Sequence, residues 1–136
     1  MVEINITYEG DLHCRAVHGP SGVVIETDAP VDNQGKGESF SPTDLLATSF
    51  GVCNLTLMGI CARGHDIDLM GTTVRVEKHM TKEKPRKVAR LVVEINLPLG
   101  IPHNKRDVLE HAARACPVAL SISPEVVIEQ SFNYPD

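Results

Sequence analysis

The chain begins with an alternation of apolar and polar residues that is typical of a β-strand. Apolar side chains occupy every second position from Val2 to Tyr8, which predicts a half-buried strand. The turn-forming residues 9–11 follow, and two further strands are predicted at 12–17 and 23–27. Between these two strands, residues 18–22 are rich in glycine and proline and predict a second turn. The start of the chain therefore predicts a three-stranded antiparallel meander.

A long irregular segment and a long helix follow the meander. Residues 28–42 are rich in proline, glycine and serine, and loops of this length tend to be functional or disordered. Ser41 suits a helix N-cap, Pro42 suits the first helical position, and Asp44 suits the positive end of the helix dipole. We predict a helix that continues to about Arg63.

The predicted helix contains an uncharged run from Leu45 to Ala62, which is 18 residues long and close to the length that spans a bilayer. Thr48, Ser49 and Asn54 interrupt the run with polar side chains. We therefore predict a core helix rather than a membrane span. A helix that is apolar on all sides must be covered all round, and a second subunit is the expected cover.

The second half of the chain alternates again between strand and helix patterns. Alternate apolar residues from Leu91 to Leu97 predict one buried strand face. Pro117 cannot continue a helix without losing a hydrogen bond, so the helix should end and restart there. The predicted strands are 71–80, 87–97 and 126–134, and the predicted helix is 104–115. Grouped strands and helices of this kind indicate the α+β class.

Composition narrows the possible functions. The 136 residues fit a single domain, 1–136, and a formal charge of −5 argues against a phosphate-backbone binder. Aromatic residues make up 4% of the chain and tryptophan is absent, so we expect no nucleic-acid partner. The first residues lack the pattern of a secretory signal. We expect a cytoplasmic protein without a membrane partner.

Four cysteines carry the most informative chemistry. Cys53 lies inside the uncharged helix, and Cys116 directly precedes Pro117. Neither has a CxxC partner, so the pair could be small core residues or a reversible dithiol. Cys116 at a helix N-terminus should have a lowered pKa, because backbone N–H groups and the dipole favour the thiolate. Cys61 is predicted to be a core residue.

Other candidate groups are less specific. His13, Cys14 and His18 could be read as metal ligands, but adjacent strand residues point to opposite faces, so we predict no metal site from them. Arg15 could supply the positive charge that stabilises a thiolate. The acids Glu38 and Asp44 could hold that arginine, and the alternative for all three is a solvated surface charge.

Four segments together resemble the OsmC/Ohr family of thiol peroxidases. The segments are 28–37, Ser41-Pro42-Thr43-Asp44-Leu45-Leu46, Gly51-Val52-Cys53 and Ala113-Arg114-Ala115-Cys116-Pro117-Val118. The resemblance covers essentially the whole chain. It implies an α+β fold in which antiparallel sheets pack on long central helices. It also implies an intertwined homodimer with a site at each subunit boundary.

The resemblance further implies the reduction of hydroperoxides, chiefly organic ones, in stress defence. Cys53 would attack the peroxide and Cys116 would resolve the resulting sulfenic acid as a disulfide. Arg15 with Asp44 or Glu38 would complete the site. No cofactor or metal is implied, and an external lipoyl-type dithiol or small thiol would restore the protein.

One position departs from the pattern of the hydroperoxide-specialised branch. That branch has a Pro-Glu pair ten residues before the first cysteine, where this chain has Pro42-Thr43. The acid falls one place later, at Asp44. This departure keeps an alternative function open, in which the same dimer binds a small apolar ligand without catalysis.

Overall fold

A computed structural model describes all 136 residues. The chain forms two compact units, Met1–Leu46 and Ala47–Asp136. The strands are β1 (Ile4–Tyr8), β2 (His13–His18), β3 (Val24–Asp28), β4 (Thr73–Met80), β5 (Val88–Asn96) and β6 (Val127–Asn133). The α-helices are α1 (Pro42–Arg63), α2 (His103–Arg114) and α3 (Pro117–Ser121). The predicted α+β class is confirmed.

The first unit contains the predicted meander, in the sheet order β1-β2-β3. Both pairings are antiparallel, and Ile4 lies opposite His18 while His13 lies opposite Asp28. The expectation that β1 is half-buried was wrong, because all five of its residues are exposed. The physical reason is that the first unit has no buried apolar side chain: its buried residues are Asp28 and Ser41.

Hydrogen bonds tie the loop between β3 and α1 to the end of β3. The Asp28 backbone N–H donates to the carbonyl of Phe40 at 3.1 Å. The Glu38 N–H donates to Asp28 Oδ2 at 3.0 Å, and the Ser39 hydroxyl donates to the carbonyl of Glu26 at 2.8 Å. The loop is irregular, as predicted, except for one 3₁₀ turn at Val31–Asn33.

A capping box starts α1 at the predicted residue. The Asp44 backbone N–H donates to Ser41 Oγ at 3.1 Å, and Asp44 Oδ2 accepts from the Ser41 N–H at 2.8 Å. The two residues satisfy each other's backbone groups at the helix end. The predicted bounds of the helix, 42 to about 63, agree with Pro42–Arg63.

Within the second unit, α1 buries one stripe and leaves other apolar residues in solvent. The buried stripe recurs every three or four residues, at Ala47, Phe50, Gly51, Asn54, Met58 and Ala62. Val52 is 56% exposed and Ile60 is 64% exposed. The expected burial on all sides is therefore not achieved within one chain.

By length and composition, α1 is also the one helix that could cross a membrane. The core helix of a soluble protein passes the same test, and α1 contributes its buried stripe to the core of the second unit.

The second unit has one sheet, in the order β4-β5-β6. β4 pairs with β5 in the antiparallel direction, but β6 pairs with β5 in parallel. The expectation of purely antiparallel sheets needs this correction. Parallel neighbours require a long crossover connection, and the segment with α2 and α3 supplies it between β5 and β6.

The core of the second unit lies between this sheet and the helices. Leu91, Val93 and Ile95 of β5 are fully buried, and so is Leu109 of α2, which confirms the predicted strand face. A Cβ atom at Gly51 would lie 2.8 Å from the Cγ2 atom of Val76. Glycine at this position therefore lets α1 approach β4 closely in the segment that carries Cys53.

Candidate functional site

Cys53 lies in the middle of α1 and is partly exposed. Its chain neighbour Asn54 is fully buried and anchors the helix. The Asn54 amide donates to the carbonyl of Phe50 at 2.7 Å, and its Oδ1 accepts from the side-chain amide of Gln130 in β6. This link fixes the segment of α1 that carries Cys53 against the sheet. The only sequence signal for this anchoring role of Asn54 was its position as a polar residue inside an apolar run.

Cys116 lies at the junction of α2 and α3 and is fully buried. It is the N-cap residue of α3, as predicted, and Pro117 takes the first helical position. The Cys116 sulfur accepts a hydrogen bond from the Ala119 N–H at 3.4 Å. Because a new helix begins at Pro117, this sulfur lies against the first turn of α3.

The two sulfurs meet in the second unit. The Cys53 side chain is close enough to contribute to the raised pKa of the Cys116 thiol, and both cysteines are free thiols. Residues 63 positions apart in the sequence are thus neighbours in the fold.

The pKa of Cys116 is raised, not lowered as the sequence suggested. Burial is the largest cause, because it penalises the thiolate, and the interaction with the Cys53 side chain acts in the same direction. The N–H groups of Ala119 and Val118 lower the pKa but do not outweigh burial. The prediction was wrong because α3 has only five residues and Cys116 at its N-cap is fully buried.

The two cysteines differ in their surroundings. Burial disfavours the thiolate form of Cys116. Cys53 is the more exposed of the two residues, so a molecule from solvent reaches Cys53 more easily.

The remaining cysteines lie elsewhere. Cys61, two turns after Cys53 on α1, is partly buried, and its thiol donates to the carbonyl of Val108 at 3.7 Å. Cys14 is a strand residue of β2 in the first unit.

Arg15, Glu38 and Asp44 all belong to the first unit. Arg15 is exposed on β2, opposite Thr7 and Glu26. Glu38 contributes its backbone N–H to Asp28, and Asp44 contributes its carboxylate to the cap of α1. Their assignment as the cation and acid of a thiol site stays a prediction.

The residues 35–131 match the family model described as OsmC-like protein. This match covers most of the chain, and the chain therefore belongs to the OsmC-like protein family. No curated protein sequence matches it significantly.

Solved structures agree with the family. One is the crystal structure of a protein from Psychrobacter arcticus 273-4, described as an osmotic stress induced and detoxification response protein. It is 44% identical, with a TM-score of 0.92, and the match covers 98% of this chain and 96% of that chain.

Two more distant structures are similar in fold. An organic hydroperoxide resistance protein OsmC from Legionella pneumophila is 18% identical with a TM-score of 0.76. An organic hydroperoxide resistance protein from Elizabethkingia anophelis, with thiocyanate bound, is 15% identical with a TM-score of 0.77. Each match covers 98% of this chain and 96% of the other.

Proposed function

We propose that this protein reduces hydroperoxides, chiefly organic ones, through a cycle of its two interacting thiols. The observation that carries the proposal is the proximity of the two cysteines, since the Cys53 side chain contributes to the raised pKa of the Cys116 thiol. A thiolate nucleophile next to a second thiol is the usual arrangement of cysteines that pass through a sulfenic acid. Two proteins of the same fold are named for organic hydroperoxide resistance, which supports this reaction class.

In the first step, the Cys53 thiolate attacks one oxygen of the hydroperoxide. A sulfur–oxygen bond forms, the oxygen–oxygen bond breaks, and the leaving alkoxide takes a proton from water and departs as an alcohol. Cys53 becomes a sulfenic acid and the peroxide has accepted two electrons.

In the second step, the Cys116 sulfur attacks the sulfenic sulfur of Cys53. The disulfide forms, the sulfur–oxygen bond breaks, and water leaves with the proton of Cys116. Because the pKa of Cys116 is raised, this residue does not compete for peroxide as a thiolate. The different environments of the two sulfurs therefore set the order of the steps.

An external dithiol, lipoyl-type or a pair of small thiols, then reduces the disulfide and supplies the two electrons. Cys53 is partly exposed and Cys116 is buried, so the attacking thiolate reaches the Cys53 sulfur. Attack there releases the Cys116 thiol. The sulfurs carry all the electrons, and the cycle requires neither metal nor cofactor.

The proposal includes a homodimer. On β1, Ile4, Ile6 and Tyr8 are each about 60% exposed, and α1 exposes Val52 and Ile60. Exposed apolar residues on one element favour an interaction surface, and β1 and α1 each carry such residues. A second copy of the chain would cover them, as the family resemblance implies.

Steady-state turnover tests the proposed function. Purified protein with cumene or tert-butyl hydroperoxide and dihydrolipoamide is expected to consume peroxide in proportion to enzyme concentration. The matched control is protein alkylated at its thiols before the assay. Absence of turnover with every peroxide, together with tight retention of an apolar ligand, would favour the binding alternative.

A further inference from the structure

A second cluster of ionisable side chains lies in the first unit, where the three strands of its sheet meet. Glu9 follows β1, His13 opens β2, and Glu26 lies in β3. The Glu9 N–H donates to the His13 carbonyl at 2.9 Å, which closes the β1–β2 turn. His13 lies opposite Asp28, and Glu26 is two residues before Asp28 on the same face of β3.

Three possible metal-ligand atoms converge here. The Nε2 atom of His13 is 3.1 Å from Glu26 Oε1 and 3.7 Å from Glu9 Oε1. All three ligand atoms lie within 4.8 Å of one another. Tetrahedral zinc bonds of about 2.0–2.1 Å place neighbouring ligand atoms roughly 3.3 Å apart. The cluster is therefore near the required spacing before any ion binds.

A residue outside the cluster orients the histidine. Asp28 is 5% exposed, and its Oδ1 accepts from the Nδ1–H of His13 at 2.6 Å. Its other oxygen accepts from the Glu38 N–H, so the carboxylate is held from both sides. A carboxylate on Nδ1 is the usual outer-shell arrangement of a metal-bound histidine. Zinc at Nε2 would displace the proton that Nε2 donates to Glu26 Oε1 at 3.1 Å.

The local charge favours a cation. Three carboxylates, from Glu9, Glu26 and Asp28, surround one imidazole. A divalent cation on Nε2 would replace one proton and balance more of this negative charge.

The donor set indicates which cation. An imidazole nitrogen with two carboxylate oxygens suits zinc, which takes three protein ligands and a water molecule at open sites. Calcium and magnesium prefer oxygen ligands alone, so the histidine disfavours them. The cluster differs from the set considered in the sequence, since Cys14 and His18 take no part in it. His18 is hydrogen-bonded to Ser21 instead.

An ion at this position would also stabilise the first unit. It contains no buried apolar side chain, and very small sheets without a core depend on metals or on association. Glu9, His13 and Glu26 come from all three strands or their turns. One ion at this position would therefore join the whole meander.

We propose that Glu9, His13 and Glu26 bind one zinc ion per chain, with Asp28 orienting His13, and that this ion fastens the β1–β2–β3 sheet. The site is separate from the thiol pair, and the proposal does not depend on the proposed function.

The test is a zinc titration of the full-length chain with a competing chromophoric chelator. Cys53→Ser/Cys116→Ser serves as the parent, because a dithiol itself binds zinc. We expect one zinc ion per chain and a higher melting temperature with zinc than with magnesium. Glu26→Gln should weaken zinc binding at least about tenfold, since it removes a ligand while leaving an exposed side chain of the same shape.

Two controls separate this site from other ligands. Glu3→Gln removes a carboxylate beside the same sheet, and Cys14→Ser removes the neighbouring thiol; both should leave the zinc affinity unchanged. In long-range ¹H–¹⁵N spectra, zinc should shift the Nε2 signal of His13 and keep its Nδ1–H form. Equal affinity in Glu26→Gln, loss of binding in Cys14→Ser, or no zinc binding would overturn the proposal and leave His13 as an ion-pair partner.

Discussion

Replacing Cys53 with serine is expected to lower the rate of hydroperoxide reduction by about a thousandfold or more. The reason is that a serine hydroxyl does not ionise near neutral pH, so the nucleophile of the first step is lost. The fold should remain, because serine has nearly the same size and Cys53 is partly exposed. The measurement is the initial rate with cumene hydroperoxide and dihydrolipoamide.

Cys61→Ser is the matched control for this prediction. Cys61 lies on the same helix and is partly buried like Cys53, but its thiol donates to Val108. This variant should keep the rate of the unmodified chain within about twofold. A Cys53→Ser variant that consumed peroxide at full rate would remove the proposed nucleophile from the account.

Replacing Cys116 with serine is expected to separate the two chemical steps. The first equivalent of peroxide should still be consumed, because Cys53 is intact. A sulfenic acid should then accumulate on Cys53, since no neighbouring thiol can close the disulfide. Trapping with dimedone and peptide mass spectrometry measures this species. The unmodified chain, treated identically, should give little adduct.

The same variant tests the assignment of roles. If Cys116 were the attacking sulfur, Cys116→Ser would lose the first equivalent as well, and Cys53→Ser would carry the dimedone adduct on Cys116. The buried position and raised pKa of Cys116 favour the opposite outcome.

Local sequence signals located most of the fold correctly. The limits of α1 follow from Ser41, Pro42 and Asp44, whose capping interactions are local and need no tertiary information. The buried face of β5 follows from the alternation between Leu91 and Leu97. In each case, the residues that decide the structure are neighbours in the chain.

Features that depend on contacts between distant parts of the chain were harder to predict from the sequence. The parallel pairing of β6 with β5 depends on how the α2–α3 segment crosses the sheet, which periodicity does not encode. β1 has the alternation of a half-buried strand, yet the chain provides nothing to bury it. Its pattern is consistent with cover from a second subunit, and that cover stays part of the proposed dimer.

The same contrast between local and long-range information applies to the chemistry of the two sites. Helix position suggested an acidic Cys116, but burial reverses the sign, and burial is a tertiary property. The cluster around His13 depends on the strand register, which places Asp28 opposite His13 and brings Glu26 to the same face. The family resemblance named both cysteines of the pair, while Arg15, Glu38 and Asp44 remain predicted members of that site.

Peptide mapping after a single equivalent of cumene hydroperoxide, without reductant, tests the thiol cycle most directly. We predict that the intact chain loses two hydrogens and that one disulfide joins Cys53 to Cys116. An oxygen retained on Cys53 without a disulfide, or a disulfide through Cys14 or Cys61, would contradict the account.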